Sequence, residues 1–228
     1  MTLEELLRLE SQFIPLSVFG GTLDDVLRKE LFAARPASMM PSKGQVENHP
    51  VVPFIIQVLT KRFQELDGFH AEGIFRKSAE KEAVGACKRR LSDACYVVQG
   101  VGAIDTDDVH VVADVIKHWL RSLVEPLIPC RLYDRALEVS HSGNLDLAYK
   151  LYQELTPANQ ETLKYILTFL NKCADCAEKN HMNKNNLALV FSPNLIRNPT
   201  DDPLIMAANT EWEKRFIMYL MDVIRTRV

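Results

Sequence analysis

Residues 107–126 read DDVHVVADVIKHWLRSLVEP, and the spacing of their apolar side chains decides the fold class. Val112, Val115, Ile116, Trp119, Leu120 and Leu123 fall three and four apart, which lays them along one face of an α-helix. Asp107 or Asp108 is expected to cap the start of that helix. Pro126 closes it, because the residue before a proline is pushed out of the helical region.

The same period recurs outward in both directions. Downstream, Pro129 precedes a helix carrying Leu132, Ala136 and Leu137, and Asn144 caps another that runs through Ala148, Leu151 and Leu155. Thr156-Pro157 pairs a cap with a proline at the first helical position, and Leu163, Ile166, Leu167, Leu170, Cys173, Ala174 and Ala177 follow at helical spacing. Leu187, Leu189, Val190 and Phe191 form a shorter run that Pro193 is expected to stop, and Phe216, Ile217, Leu220, Val223 and Ile224 mark the last helix. Upstream, Phe54, Ile55, Val58, Leu59, Phe63 and Leu66 keep the period after Pro53, with Gly68 as the expected stop. Phe69 to Lys77 is a loop, and Ser78 is expected to cap the next helix, which ends in Lys88-Arg89-Arg90. Residues 34–50, with three prolines, read as a loop or linker, and Thr22 caps a short helix through Leu27 and Leu31. Leu3, Leu6, Leu7 and Leu9 predict one more short helix at the N-terminus. Only Cys95 to Val101 could pass for a strand, and one strand makes no sheet. The expectation is an all-α bundle of roughly eight to ten helices.

Composition excludes several function classes. The formal net charge of −3 gives no global basic field for nucleic acid, and Lys88 to Arg90 is better read as a dipole-favoured helix end. Cys87, Cys95, Cys130, Cys173 and Cys176 are odd in number and scattered, which suits reduced thiols rather than a disulfide framework. Cys173 and Cys176 form one C-x-x-C with no second pair, and Cys173 lies on an apolar stripe, so a core role is expected and no metal site. Leu-rich Met1 to Phe13 has no signal-peptide pattern, and no window nears the ~18 apolar residues of a membrane span. A cytoplasmic, monomeric protein with no integral membrane segment is expected.

No phosphate-binding glycine loop, nucleophile elbow or H-E-x-x-H motif is present, and the six histidines form no close pair. The informative loop is Glu72-Gly73-Ile74-Phe75-Arg76-Lys77-Ser78. Ile74 and Phe75 can anchor it while Arg76 points outward, and Gly73 gives the backbone freedom to turn. Alone, such an arginine is a solvated surface charge. Lys117 and Arg121, four apart on the clearest helix, share a face, and Asp114 lies three before Lys117. Two cations side by side invite an anionic partner, although on these residues alone a solvated helix face is the favoured reading. Asn194, after Ser192-Pro193, can cap the next turn or project toward a partner, and the sequence favours the cap.

Taken together and in order, these residues resemble the RhoGAP family. The blocks are Gly73-Ile74-Phe75-Arg76, Lys117 to Leu127, Leu155-Thr156-Pro157-Ala158-Asn159 with its continuation to Leu170, and Asn186 to Leu195. The likeness spans residues 19–226, beginning at Phe19-Gly20-Gly21-Thr22-Leu23. Three positions depart from the family pattern: Val124 stands where proline is usual, and Ser192 and Ala79 where glycine is common. None of these removes a charge that the mechanism uses.

The resemblance implies an all-α, RhoGAP-like bundle with a four-helix core, occupying residues 19–228 behind an extension of residues 1–18. It implies a GTPase-activating protein for a Rho-family small GTPase in its GTP-bound form, with Arg76 as an arginine finger supplied in trans. Gly73, Ile74 and Phe75 would support the finger loop. Lys117 and Arg121 would support the loop or meet the GTPase, and Asn194 would bond the partner or steady the loop. No cofactor is expected, since GTP and Mg²⁺ come with the partner, and the chain would be an activator rather than a self-sufficient enzyme. The competing expectation is a GAP-like binding module that docks a GTPase without accelerating hydrolysis.

Overall fold

A computed structural model describes residues 17–33, 52–92, 96–200 and 202–228. The helix expected from Leu3 to Leu9 and the linker at 34–50 lie outside them. The described residues form α1 (Leu23–Ala33), α2 (Phe54–Glu65), α3 (Lys81–Ser92), α4 (Tyr96–Gln99), α5 (Val109–Ser122), α6 (Tyr133–Ser142), α7 (Leu145–Gln153), α8 (Pro157–Asp175), α9 (Ala177–Asn180), α10 (Lys184–Leu195) and α11 (Pro203–Arg227). No strand occurs among them, and the fold is all-α as expected. Of the stretch expected as a possible strand, the described residues from Tyr96 to Val101 lie in α4 and a following 3₁₀ turn.

Side-chain caps fix several helix starts. Thr22 and Asp25 cap each other's backbone N–H reciprocally at 3.1 and 3.0 Å. Asp108 accepts from the His110 N–H, Asn144 from those of Asp146 and Leu147, and Thr156 from that of Asn159. Each such cap is worth roughly 0.5–2 kcal/mol. The first turn of α2 is closed from outside its own segment: the buried Glu30 carboxylate of α1 accepts from the Phe54 and Ile55 N–H groups at 2.5 and 2.8 Å.

Helices α2, α5, α10 and α8 contact one another in a closed ring around the centre of the core, and α11 packs along α10, α6, α7 and α8. Phe63 of α2 meets Phe169 of α8 edge-on at 4.9 Å. Trp119 of α5 is fully buried and donates its indole N–H to the Val18 carbonyl at 3.2 Å, which ties the segment before α1 to this core.

Three local expectations are overturned in the structure. Gly68 does not stop α2: the helix ends at Leu66, Asp67 takes the left-handed conformation, and Gly68 is buried where a Cβ would sit 2.6 Å from the Phe63 ring. Ser78 does not cap α3, which begins at Lys81, because the preceding backbone is drawn to α5. Pro193 does not stop α10, which runs on to Leu195. The carbonyl left without a helical N–H by that proline belongs to exposed Leu189, and the Ser192 hydroxyl approaches it at 3.4 Å.

Among the described residues no helix is long and apolar enough to cross a membrane. The basic end of α3 is internally engaged, with Lys88 over the Phe19 ring and Arg90 paired with Asp105 at 2.5 Å.

Candidate functional site

Arg76 stands exposed at the tip of the loop between α2 and α3, directly after two side chains that are almost completely buried. Ile74 is 0% and Phe75 1% exposed, as the sequence suggests for an anchored loop. Phe75 stacks on Phe63 at 5.4 Å and meets Phe191 of α10 edge-on at 4.9 Å. Aromatic contacts of this kind add about 0.5–1.5 kcal/mol each beyond burial.

The backbone of the loop is tightly wound. The Arg76 and Lys77 N–H groups both donate to the Gly73 carbonyl, at 3.0 and 2.8 Å. Gly73 adopts φ +68°, where a Cβ would lie 3.0 Å from the Lys77 methylenes. Phe75 adopts φ 65°, which the sequence did not signal, since a bulky residue avoids this region unless its surroundings impose it. Here the aromatic cluster does so.

Two partners on α5 hold the loop on either side of Arg76. The Lys117 ammonium donates to the Phe75 carbonyl at 2.6 Å and pairs with Asp114 at 2.7 Å. The other Asp114 oxygen accepts the Ala79 N–H at 2.9 Å. Lys117 is therefore not the free surface cation that its sequence position suggests: its side chain is 18% exposed and committed to the loop. One turn on, exposed Arg121 donates through Nε to the Asn194 carbonyl oxygen at 3.2 Å. Asn194 is fully buried, and its amide nitrogen donates to the Val190 carbonyl at 2.8 Å. With both ends of its amide engaged, Asn194 neither caps a following turn nor reaches outward; it orients Arg121.

Lys117, Arg121, Asn194, Asp114, His118 and Ser78 line one cleft beside the loop. The structure thus gathers Arg76, Lys117, Arg121 and Asn194 from three separate segments onto one edge of the bundle. Around the tip, Lys77 pairs with Glu72 at 3.1 Å and holds that carboxyl below its ordinary range. Among the described residues no side chain hydrogen-bonds or ion-pairs with the Arg76 guanidinium. Burial, with Lys88, Arg121 and Lys117 nearby, pushes His118 toward its neutral form, and only Asp114 opposes this.

The described cysteines do not line this cleft. Burial raises Cys87 to about 11 and pushes Cys173 higher, so both thiols stay protonated at neutral pH. Among the described residues no three His, Cys, Asp or Glu side chains cluster as metal ligands would.

Asn180 escaped the sequence reading altogether. It is fully buried where α9 ends, and its backbone carbonyl accepts the Gly73 N–H at 2.7 Å. No local pattern marks it, because its partners at the loop, Phe69 and Gly73, are distant in sequence.

What this edge can do follows from its parts. An exposed guanidinium on a rigid, outward-facing turn can be delivered to an anion on another molecule, with a second cation beside it. The profile of the RhoGAP domain matches residues 53–200. The chain is 30% identical over 220 residues to GTPase activating protein homolog 3 of Dictyostelium discoideum, covering 96% of this chain and 15% of that protein. It is 26% identical over 213 residues to Rho GTPase-activating protein gacY of the same organism, covering 90% of this chain and 26% of that one. It thus spans only a minor part of these curated relatives. The crystal structure of human Rho GTPase activating protein 15 superposes with a TM-score of 0.72 at 23% identity, covering 97% of this chain and 96% of that one.

Proposed function

The chain belongs to the RhoGAP domain family, and we propose that it stimulates GTP hydrolysis by a Rho-family small GTPase, with Arg76 entering the partner's active site as an arginine finger. The observation that carries this reading is the contrast within three residues: Ile74 and Phe75 are sealed in the core, and Arg76, next to them, is exposed, its guanidinium hydrogen-bonded and ion-paired to no side chain among the described residues.

Hydrolysis of GTP spreads negative charge over the phosphate oxygens in the transition state. A guanidinium supplied by a second protein stabilises that charge, and such an arginine finger is worth about 10³–10⁵ in rate, or roughly 4–7 kcal/mol. Arginine suits the task because it stays charged and presents a planar fork of donors to phosphate oxygens. Fixed placement raises its worth, since misplacement by about 1 Å can cost 10²-fold.

In this reading Lys117 and Asp114 brace the finger loop without needing to touch the partner. Arg121, oriented by Asn194, meets the GTPase surface beside the finger. The GTP-bound partner brings the nucleotide, Mg²⁺ and the water-positioning group, so the module works in the cytoplasm as a monomer with no cofactor of its own.

The test is single-turnover GTP hydrolysis by a panel of Rho-family GTPases, with the wild-type chain and with Arg76→Ala. Strong acceleration on at least one GTPase is expected, with roughly 10²–10⁴ of it lost in the variant while binding persists. Binding of the GTP-loaded form without acceleration by the wild type would make the module a docking domain. Neither binding nor acceleration across the panel would overturn the reading.

A further inference from the structure

We infer that Asn180, which cannot touch any partner, is a positioning residue that sets the reach of Arg76 through the root of the loop. The inference rests on the proposed role of Arg76 and concerns a second mooring, independent of α5.

Asn180 is 0% exposed, and every polar atom it carries is engaged. Its amide nitrogen donates to two carbonyls, those of Phe69 and Cys173, at 2.8 Å each. Its side-chain oxygen accepts the Met182 N–H at 2.7 Å. Its backbone N–H donates to the Cys176 carbonyl at 3.1 Å, and its backbone carbonyl accepts from Gly73 at 2.7 Å. One residue therefore joins the loop root at Gly73, the 3₁₀ turn at Phe69, the end of α8 at Cys173 and the approach to α10 at Met182. These are the segments against which Arg76 must be aligned, because α10 also carries Asn194 and so fixes Arg121.

The bond to Gly73 falls at a sensitive point. Gly73 takes φ +68°, and its carbonyl receives both the Arg76 and Lys77 N–H groups. A rotation about Gly73 swings the whole turn that carries Arg76. The α5 brace grips the Phe75 carbonyl and the Ala79 N–H, beyond this hinge. The Asn180 backbone carbonyl holds the hinge itself, and the side-chain bonds to Phe69, Cys173 and Met182, which a substitution removes, fix where that carbonyl sits. The neighbouring His181 sits at φ 59°, which turns the chain toward α10 immediately after the mooring.

A merely structural role and a positioning role separate kinetically. Asn171 is a suitable control: it is a buried asparagine, 7% exposed, whose amide nitrogen donates to the Met221 carbonyl of α11 at 2.9 Å, and among the described residues no hydrogen bond joins it to the loop. Asn180→Ala, Asn171→Ala, Arg76→Ala and wild type would be titrated against the preferred GTPase in single-turnover hydrolysis, below the unfolding transition of each. The expected result is a maximal rate for Asn180→Ala lowered about ten- to a hundredfold, with the half-saturating concentration changed less than about threefold. Asn171→Ala should lose thermal stability to a similar degree yet keep the wild-type maximal rate. Asn180→Ser, which retains one donor, serves if the alanine variant does not fold, and should fall between.

An Asn180 variant with wild-type maximal rate, while Arg76→Ala is inactive, would overturn this inference and leave the finger intact. An equal loss of rate in Asn171→Ala would overturn it too, since lost stability would then explain the effect. An Arg76→Ala variant as active as wild type would remove the underlying reading instead.

Discussion

Two carboxylates are buried to the same degree in different parts of the bundle and are used in opposite ways. Asp114, 8% exposed, faces the loop and holds a cation and a backbone N–H. Glu213, 7% exposed, lies in the seam between α6 and α11 and accepts the Tyr133 hydroxyl proton at 2.6 Å. The first has an ammonium at 2.7 Å to offset its loss of water; burial of the second pushes its carboxyl up, and only the Tyr133 hydrogen bond pulls it back. Burial alone therefore does not say what an acid is for. A matched charge lets Asp114 couple two segments rigidly, whereas Glu213 closes a seam at some cost in ionisation.

The sharpest way to break this contrast is to remove the loop-side acid. On the proposed reading, Asp114→Ala frees the Ala79 N–H and strips Lys117 of its counter-charge, and the maximal stimulated rate should fall about ten- to a hundredfold. The same variant should lose roughly 1–3 kcal/mol in urea unfolding, because buried polar groups are left unpaired. Asp114→Asn keeps an acceptor for Ala79 and should recover part of both; an asparagine variant equal to wild type would deny the ion pair any role, and one no better than the alanine variant would deny the Ala79 bond any. Next in size is Arg121→Ala, which should raise the half-saturating GTPase concentration about tenfold and leave the maximal rate within about threefold, as expected for a partner contact rather than a brace.

The smallest effect belongs to the seam. Glu213 has a folded-state pKa above the ordinary 4.5, so the folded chain holds that proton more tightly than the unfolded one. Its contribution is complete below the ordinary value and is lost as pH rises through the raised one. Glu213→Gln still accepts from Tyr133 and cannot ionise. It should match wild type near pH 4 and exceed it by roughly 0.5–1.5 kcal/mol at pH 8 in urea unfolding. A variant less stable than wild type at pH 8 would show that the ionised carboxylate strengthens the seam.

The difference between the two acids also shows what a sequence can reveal. Helices with their own caps were legible: Asp108, Asn144 and Thr156 all close their starts with local bonds. So was Arg76 beside its apolar anchors, since Ile74 and Phe75 announce burial by type. What escaped was settled by packing and exposure that the local pattern does not show. Gly68 looked like a helix stop, but the Phe63 ring dictates its lack of a side chain. Ser78 looked like a cap, but Asp114 draws the following N–H away to α5. Pro193 looked like a terminator, yet α10 passes through it because the orphaned carbonyl lies at exposed Leu189. Lys117 and Arg121 looked like twins on one face, and the structure commits the first to the loop and leaves the second at the surface. Asn180 left no trace, because no local pattern joins it to Gly73.

The left-handed turn at Phe75 bears on how much order remains to be gained when a second molecule arrives. Fixing a backbone residue costs about 1–2 kcal/mol of conformational entropy, and a loop that ordered only on contact would surrender that for each of its residues at the moment of encounter. Here the stacked rings and the Gly73 and Lys117 bonds have frozen the main chain around Arg76 already, during folding. Only the torsions of one side chain, about 2 kcal/mol of freedom, are left to be lost. Whatever anion the guanidinium meets, ordering the loop adds little more than that residual motion to the rigid-body cost of association.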